Sequence, residues 1–134
     1  MNNNTIAAVF VLFAMPTILL SQDLAAEESD WRVFSEEPNG DVHFFDASRV
    51  ESSSNMRTVW TRIRYNTSVM AASSYQSLLE IDCEKRTERT LQRTFFSDKN
   101  WEKSAMSTDK KKKSKRAIRK GSAFERLFEV VCTP

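Results

Sequence analysis

Apolar and polar side chains alternate along most of residues 30–96. In residues 56–66, Val59 and Ile63 occupy one set of alternate positions, while Trp60 and two arginines occupy the other. Successive side chains of a β-strand point to opposite faces of a sheet, so this pattern predicts half-buried strands. The same alternation appears in residues 30–37, 41–46, 75–83 and 87–96. The sequence therefore predicts an antiparallel sheet in this part of the chain.

The pairing register of the last predicted hairpin stays open. A three-residue loop over residues 84–86 would set Leu79 opposite Leu91. The same register places Arg89 and Arg93 on the apolar face, where a core disfavours charge. Either these two arginines lie beyond the covered part of that face, or a β-bulge reverses the alternation.

The period of the apolar positions changes near the C-terminus. In "GSAFERLFEVVC", residues 121–132, apolar side chains recur at the spacing i, i+3, i+4 and i+7 of an amphipathic helix. The residues of this stripe are Phe124, Leu127, Phe128 and Val131. Ser122 and Glu125 form an S-x-x-E capping box, which marks the start of a helix. The sequence thus predicts an α+β fold with one C-terminal helix on the sheet.

The N-terminus predicts export. The apolar run at residues 6–20 is fifteen residues long, shorter than the about 20 residues of a membrane-spanning helix. Small residues, Ala25 and Ala26, follow it directly before charged ones. We predict a signal peptide at residues 1–26 and one exported domain at residues 27–134. No Lys or Arg precedes the run, so an uncleaved N-terminal anchor remains an alternative. The destination is the periplasm, the cell surface or the medium.

The only two cysteines, Cys83 and Cys132, predict a structural disulfide. Export to an oxidising compartment permits the bond, and the pair forms no C-x-x-C motif. One histidine cannot complete a four-ligand zinc site without carboxylates. Cys83 shares the apolar face of its strand, and Cys132 follows the apolar stripe of the helix. The disulfide should therefore pin the helix to the sheet, contributing about 4 kcal/mol in the chain-entropy treatment.

Several short stretches also resemble a known family of small exported bacterial proteins, the surface-adhesin protein E family. They are Trp31, "FFD" at 44–46, "VW" at 59–60, "EIDC" at 80–83 and "GSAFERLFEVVC" at 121–132. The resemblance runs across nearly all of residues 30–132. It implies a curved antiparallel sheet of about six strands, with a C-terminal helix held by the disulfide. Lysines occupy the positions before Gly121 where the family usually has a tryptophan and a proline.

Candidate chemistry for an enzyme is sparse, so we predict a non-catalytic protein without cofactor or metal. His43 is the only histidine, and Asp46 lies three residues further along the same predicted strand. An odd separation places the two side chains on opposite faces. Two glycines cannot build a phosphate-binding loop. The acidic positions 80, 82 and 84 spread too far along a strand to hold one calcium ion.

Charge is distributed very unevenly along the chain. Residues 23–51 hold nine acidic and two basic side chains, whereas residues 52–134 hold nine acidic and eighteen basic ones. Eight basic residues concentrate in 110–120 and are candidates for binding polyanions such as heparin-like glycans or lipopolysaccharide. They are Lys110, Lys111, Lys112, Lys113, Lys115, Arg116, Arg119 and Lys120. The alternative is a solvated loop without a dedicated contact. Export and the lack of an interleaved aromatic residue disfavour nucleic acid.

These observations predict an exported binding domain. The family resemblance implies host matrix or plasma proteins, such as vitronectin, laminin and plasminogen, as partners. The alternative is a periplasmic or envelope accessory protein with a structural role and no host ligand. A homodimer stays open. If residues 110–120 are not the binding surface, the next cluster of positive charge on the sheet is Arg57, Arg62 and Arg64.

Overall fold

The structure is a computed structural model that describes residues 28–134. The predicted signal peptide at residues 1–26 lies outside the described residues, so its presence and its cleavage site stay predictions. Within residues 28–134, no helix has the length and apolar character that crossing a membrane requires.

The predicted α+β fold is confirmed. An open antiparallel sheet follows chain order from β1 to β6, with β7 pairing against β5. The strands are β1 (Trp31–Glu36), β2 (Val42–Ser53), β3 (Met56–Val69), β4 (Ala72–Asp82), β5 (Thr87–Phe96), β6 (Ser107–Asp109) and β7 (Arg116–Ala117), and the helix is α1 (Ala123–Cys132). Each long strand contains most of one of the predicted alternating stretches, because alternation gives one face for a core and one for solvent. The strand β2 extends seven residues beyond the predicted 41–46, and β3 and β4 extend by three residues each.

The core lies between α1 and one face of the sheet, which we call the helix face. Its sheet side consists of Phe45, Val59, Leu79 and Ile81, and its helix side of Leu127 and Val131. Val59, Ile81 and Leu127 are fully buried. The opposite side of the sheet, which α1 does not cover, is the open face. Side chains alternate between the two faces along each strand.

The disulfide and the helix cap hold α1 in place as predicted. Cys83 and Cys132 are bonded, with their Cα atoms 5.6 Å apart. The Oγ of Ser122 accepts a hydrogen bond from the backbone N–H of Glu125 at 3.2 Å. The Glu125 carboxylate accepts the N–H of Gly121 at 2.7 Å. Gly121 has φ +78°, a backbone conformation that favours glycine, where the chain turns into the helix.

A β-bulge resolves the open register of the β4–β5 hairpin. Leu78 pairs with Gln92 and Leu79 with Thr90, which leaves Leu91 as the extra residue. The bulge moves Arg89 to the open face, where it pairs with Glu80 at 2.6 Å. Arg93 keeps the helix face but pairs with Asp109 of β6 at 3.1 Å, outside the apolar cluster. Each predicted alternative therefore holds for one arginine: the bulge reverses the face of Arg89, and Arg93 lies beyond the covered part of the helix face.

Candidate functional site

The lysine-rich segment at residues 110–120, the basic segment, is attached to the edge of the sheet. Its main chain runs beside β5, where the N–H of Lys113 donates to the carbonyl of Thr90 at 2.8 Å. Further along, β7 pairs with the start of β5, and the N–H of Ile118 donates to the carbonyl of Arg86 at 2.9 Å. The segment is thus held at several points along its length.

Two of its eight basic side chains are engaged within the domain. Lys113 pairs with Asp109 at 2.9 Å, and this hydrogen bond, helped by the N–H of Lys111, lowers the pKa of Asp109 to about 2. Arg116 pairs with the buried carboxylate of Glu88 at 2.7 Å. The other six form no ion pair with any of residues 28–134 and are exposed: Lys110, Lys111, Lys112, Lys115, Arg119 and Lys120. These six could meet a polyanion without breaking an internal contact.

A cleft of about 250 Å³ lies between the start of α1 and the helix face. Its lining includes His43, Tyr65, Tyr75 and Arg116, and contains no carboxylate. Burial raises the pKa of both tyrosines and lowers the pKa of His43. The His43 ring packs edge-on against Phe34, with centroids 5.7 Å apart. His43 therefore has no acidic partner in the lining of this cleft, and its ring contacts an aromatic side chain instead.

The open face carries all three tryptophans of the chain. Strand register places Trp31 and Trp60 there, beside the open-face residues Phe44 and Arg62. Trp101 reaches the same face from the loop after β5, and its ring meets Phe44 edge-on at 5.9 Å. The loop is shaped by the Asp98 carboxylate, which accepts backbone N–H groups of the residues that follow: Asn100, Glu102 and Lys103.

Arginine side chains stack against these rings. The Arg62 guanidinium lies 4.1 Å from the Trp31 ring centroid and 4.7 Å from that of Trp101. Arg49 lies 5.9 Å from Trp31 and 5.8 Å from Trp60, and Arg64 lies 5.3 Å from the ring of Phe44. These distances fall within the range of cation–π attraction. We call this group the arginine–aromatic layer: Trp31, Phe44, Arg49, Trp60, Arg62, Arg64 and Trp101.

A buried carboxylate fixes one end of the layer. Asp46 is fully buried where β2 bulges, and it accepts hydrogen bonds from Ser48, Arg49 and the N–H of Asp30. Burial alone would raise the pKa of Asp46, but these hydrogen bonds outweigh it and lower the pKa to about 2. Asp46 is therefore ionised at neutral pH and holds Arg49 against the indoles.

Two other arginines of the layer have no carboxylate partner among residues 28–134. Arg62 donates through Nε to the side-chain oxygen of Gln76 at 2.8 Å, and Arg64 forms no ion pair there. Burial lowers the pKa of Arg62 and repulsion from Arg49 lowers it further, effects that attraction to Asp46 offsets only in part. The layer thus carries positive charge that the described part of the domain does not neutralise.

Arg57 does not belong to this cluster. It lies opposite Ile81 in the β3–β4 register, which places it on the helix face. Its Nε–H donates to the carbonyl of Val131 at 3.1 Å, near the end of α1. The structure therefore brings together Arg62 and Arg64 but separates Arg57 from them. The sequence already indicated this separation, because residues 57 and 62 are an odd number of positions apart on one strand and so point to opposite faces.

The sequence matches one protein family over nearly all of the described domain. A family model described as surface-adhesin protein E matches residues 31–133. The chain belongs to the surface-adhesin protein E family. The resemblance stated from the sequence is confirmed. No curated protein matches the sequence.

Solved structures of Haemophilus influenzae protein E share the fold of this family member. Crystal form II gives a TM-score of 0.62 at 8% identity, covering 76% of this chain and 86% of that chain. Protein E from non-typeable Haemophilus influenzae gives a TM-score of 0.59 at 11% identity, covering 91% of this chain and 82% of that chain. These TM-scores support a shared fold, whereas the low identity leaves individual surface side chains to be argued from this chain alone.

Proposed function

We propose that this chain is an exported, non-catalytic adhesin domain that binds host matrix or plasma proteins at the bacterial surface. The observation that carries the proposal is the match to the surface-adhesin protein E family over residues 31–133. The apolar N-terminal run followed by small residues supports export. The disulfide between Cys83 and Cys132 suits an oxidising compartment.

The open face is the contact surface that this proposal favours. The helix face is occupied by α1, whereas the open face presents the arginine–aromatic layer. Tryptophan and arginine are enriched among the residues that dominate binding energy in protein interfaces. Rigid stacked rings also lose little conformational entropy when a partner docks. The layer therefore has the composition of a protein-binding surface.

Binding and exposure can be tested separately. The purified chain should bind immobilised matrix or plasma proteins in a saturable manner, and protease added to intact cells should cleave it. Failure to bind any such protein would contradict the proposal. Protection from protease on intact cells would do so too, and would favour the envelope accessory role.

The basic segment supports a second contact, with a polyanion such as a heparin-like glycan or lipopolysaccharide. Six of its cations, which form no ion pair with residues 28–134, are exposed at one edge of the sheet. A variant with serine at Lys110, Lys111, Lys112 and Lys115 removes exposed charge and keeps Lys113 on Asp109. We expect heparin binding to weaken about tenfold or more and the melting temperature to stay unchanged, since these side chains add nothing to the core. Unchanged heparin binding would assign the segment no such role.

A further inference from the structure

We propose that Arg62 and Arg64 form a binding site for an extended acidic segment of a partner protein, with carboxylates at alternate positions. The inference rests on the proposed function and specifies the chemistry of the partner. Three observations carry it: the free edge of the Arg62 guanidinium, the uncompensated charge beside it, and the spacing of the two arginines.

The first observation is the orientation of Arg62. Indole rings lie over its guanidinium at 4.1 and 4.7 Å, and its Nε–H donates to Gln76. The ring faces contact the plane of the guanidinium, whereas its remaining N–H groups point along its edge. Those N–H groups find no acceptor among residues 28–134. A stacked guanidinium with a free edge is preorganised to take a carboxylate through two hydrogen bonds.

The second observation is the charge that the layer retains. No carboxylate of residues 28–134 forms an ion pair with Arg62 or Arg64: on the open face Glu80 pairs with Arg89 and Asp46 with Arg49, while Glu36 and Glu51 form no ion pair there. Arg62 is half-buried, and its burial and the nearby Arg49 disfavour its charged form more than the nearby Asp46 favours it. An uncharged side chain would fill the same space between the rings without that cost. A guanidinium that is partly buried and has no carboxylate partner in the domain indicates a site for an anionic ligand.

The third observation is spacing. Arg62 and Arg64 are two residues apart on β3 and pair with Gln76 and Ser74 of β4. Their Cα atoms are therefore about 7 Å apart on the same face. An extended peptide presents every second side chain at the same interval. Two carboxylates at positions i and i+2 of such a peptide can meet both arginines at once.

The surroundings favour a peptide over a sulfated glycan. The site holds two guanidiniums that lie over the rings of Trp31, Phe44 and Trp101. A peptide offers carboxylates at a defined spacing and apolar groups for those rings. A highly charged glycan is matched better by the six exposed cations of the basic segment at the sheet edge.

Tryptophan emission gives a direct readout, because all three tryptophans lie in the layer. The full exported chain is titrated with two tryptophan-free peptides of equal length and equal glutamate content. One carries glutamate at every second position, and the other at every third. We expect the alternating peptide to bind about tenfold more tightly and to change the emission. Equal affinity for the two peptides would overturn the proposal.

Variants locate the binding. Arg62→Lys and, independently, Arg64→Lys keep the charge but lose the two-pronged contact, so each should weaken the alternating peptide about tenfold. The serine variant of the basic segment should bind it like the parent. Parental binding by both arginine variants would overturn the proposal. So would a dependence on the basic segment, or a chain dimer that the arginine variants dissociate. If matrix proteins still bind while the peptide does not, this inference fails and the proposed function stands.

Discussion

The two faces of the sheet differ in what covers them and in how deeply their side chains are buried. On the helix face, apolar side chains such as Val59, Leu79 and Ile81 are almost fully buried beneath a helix that a disulfide secures. On the open face, stacked indoles and guanidiniums remain half-exposed. Burying a large apolar side chain stabilises a protein by about 1.5–3 kcal/mol, whereas an exposed cation–π contact contributes about 0.5–1 kcal/mol. The helix face therefore supplies most of the apolar burial that stabilises the domain, and the open face is available for recognition.

Replacing both Cys83 and Cys132 by alanine should give the largest effect on this contrast. The bond joins residues 49 positions apart, so its loss should lower the free energy of unfolding by about 4 kcal/mol. Urea unfolding monitored by circular dichroism measures the change. Partner binding by the molecules that remain folded should persist, because the open face is untouched. A loss of stability below about 1 kcal/mol would contradict the role assigned to the bond.

Asp46 ties the stability of the open face to pH. Its pKa is about 2 in the folded protein, below the about 3.9 of an unfolded chain. The stabilisation from its ionised form is thus present above about pH 4 and is lost as the pH falls towards 2. Asp46→Asn should cost about 2 kcal/mol at pH 7 and show a shallower loss of stability in acid than the parent. Parallel pH profiles of the two proteins would contradict this.

Ser122→Ala should have a smaller effect, confined to the helix face. The hydroxyl accepts the N–H of Glu125 at the first turn of α1, and losing such a cap costs about 1 kcal/mol. Chemical unfolding of the parent and the variant measures the difference. Partner binding should not change. A variant as stable as the parent would show that the disulfide alone suffices to hold the helix start.

Local patterns in the sequence predicted the fold but not the candidate site. Alternation marked the strands, and the capping box at Ser122 marked the helix, because each depends on neighbouring residues. The arginine–aromatic layer depends on distant ones. Trp101 comes from a loop without periodicity and has φ +59°, and the bulge in β2 that positions Arg49 has no clear sequence signature. The bulge at Leu91 likewise decided a register that the hairpin pattern left open.

One crossed measurement tests the division between the two faces most directly. Unfolding free energy and affinity for a matrix or plasma protein are measured for Leu127→Ala and Arg62→Met. Leu127 is fully buried, so its truncation should cost about 2–5 kcal/mol of stability and leave the affinity of the folded domain unchanged. Methionine can still pack against the indoles, so Arg62→Met should change stability by less than about 1 kcal/mol and weaken binding about tenfold. Normal partner binding by Arg62→Met, or weakened binding by folded Leu127→Ala, would contradict the account.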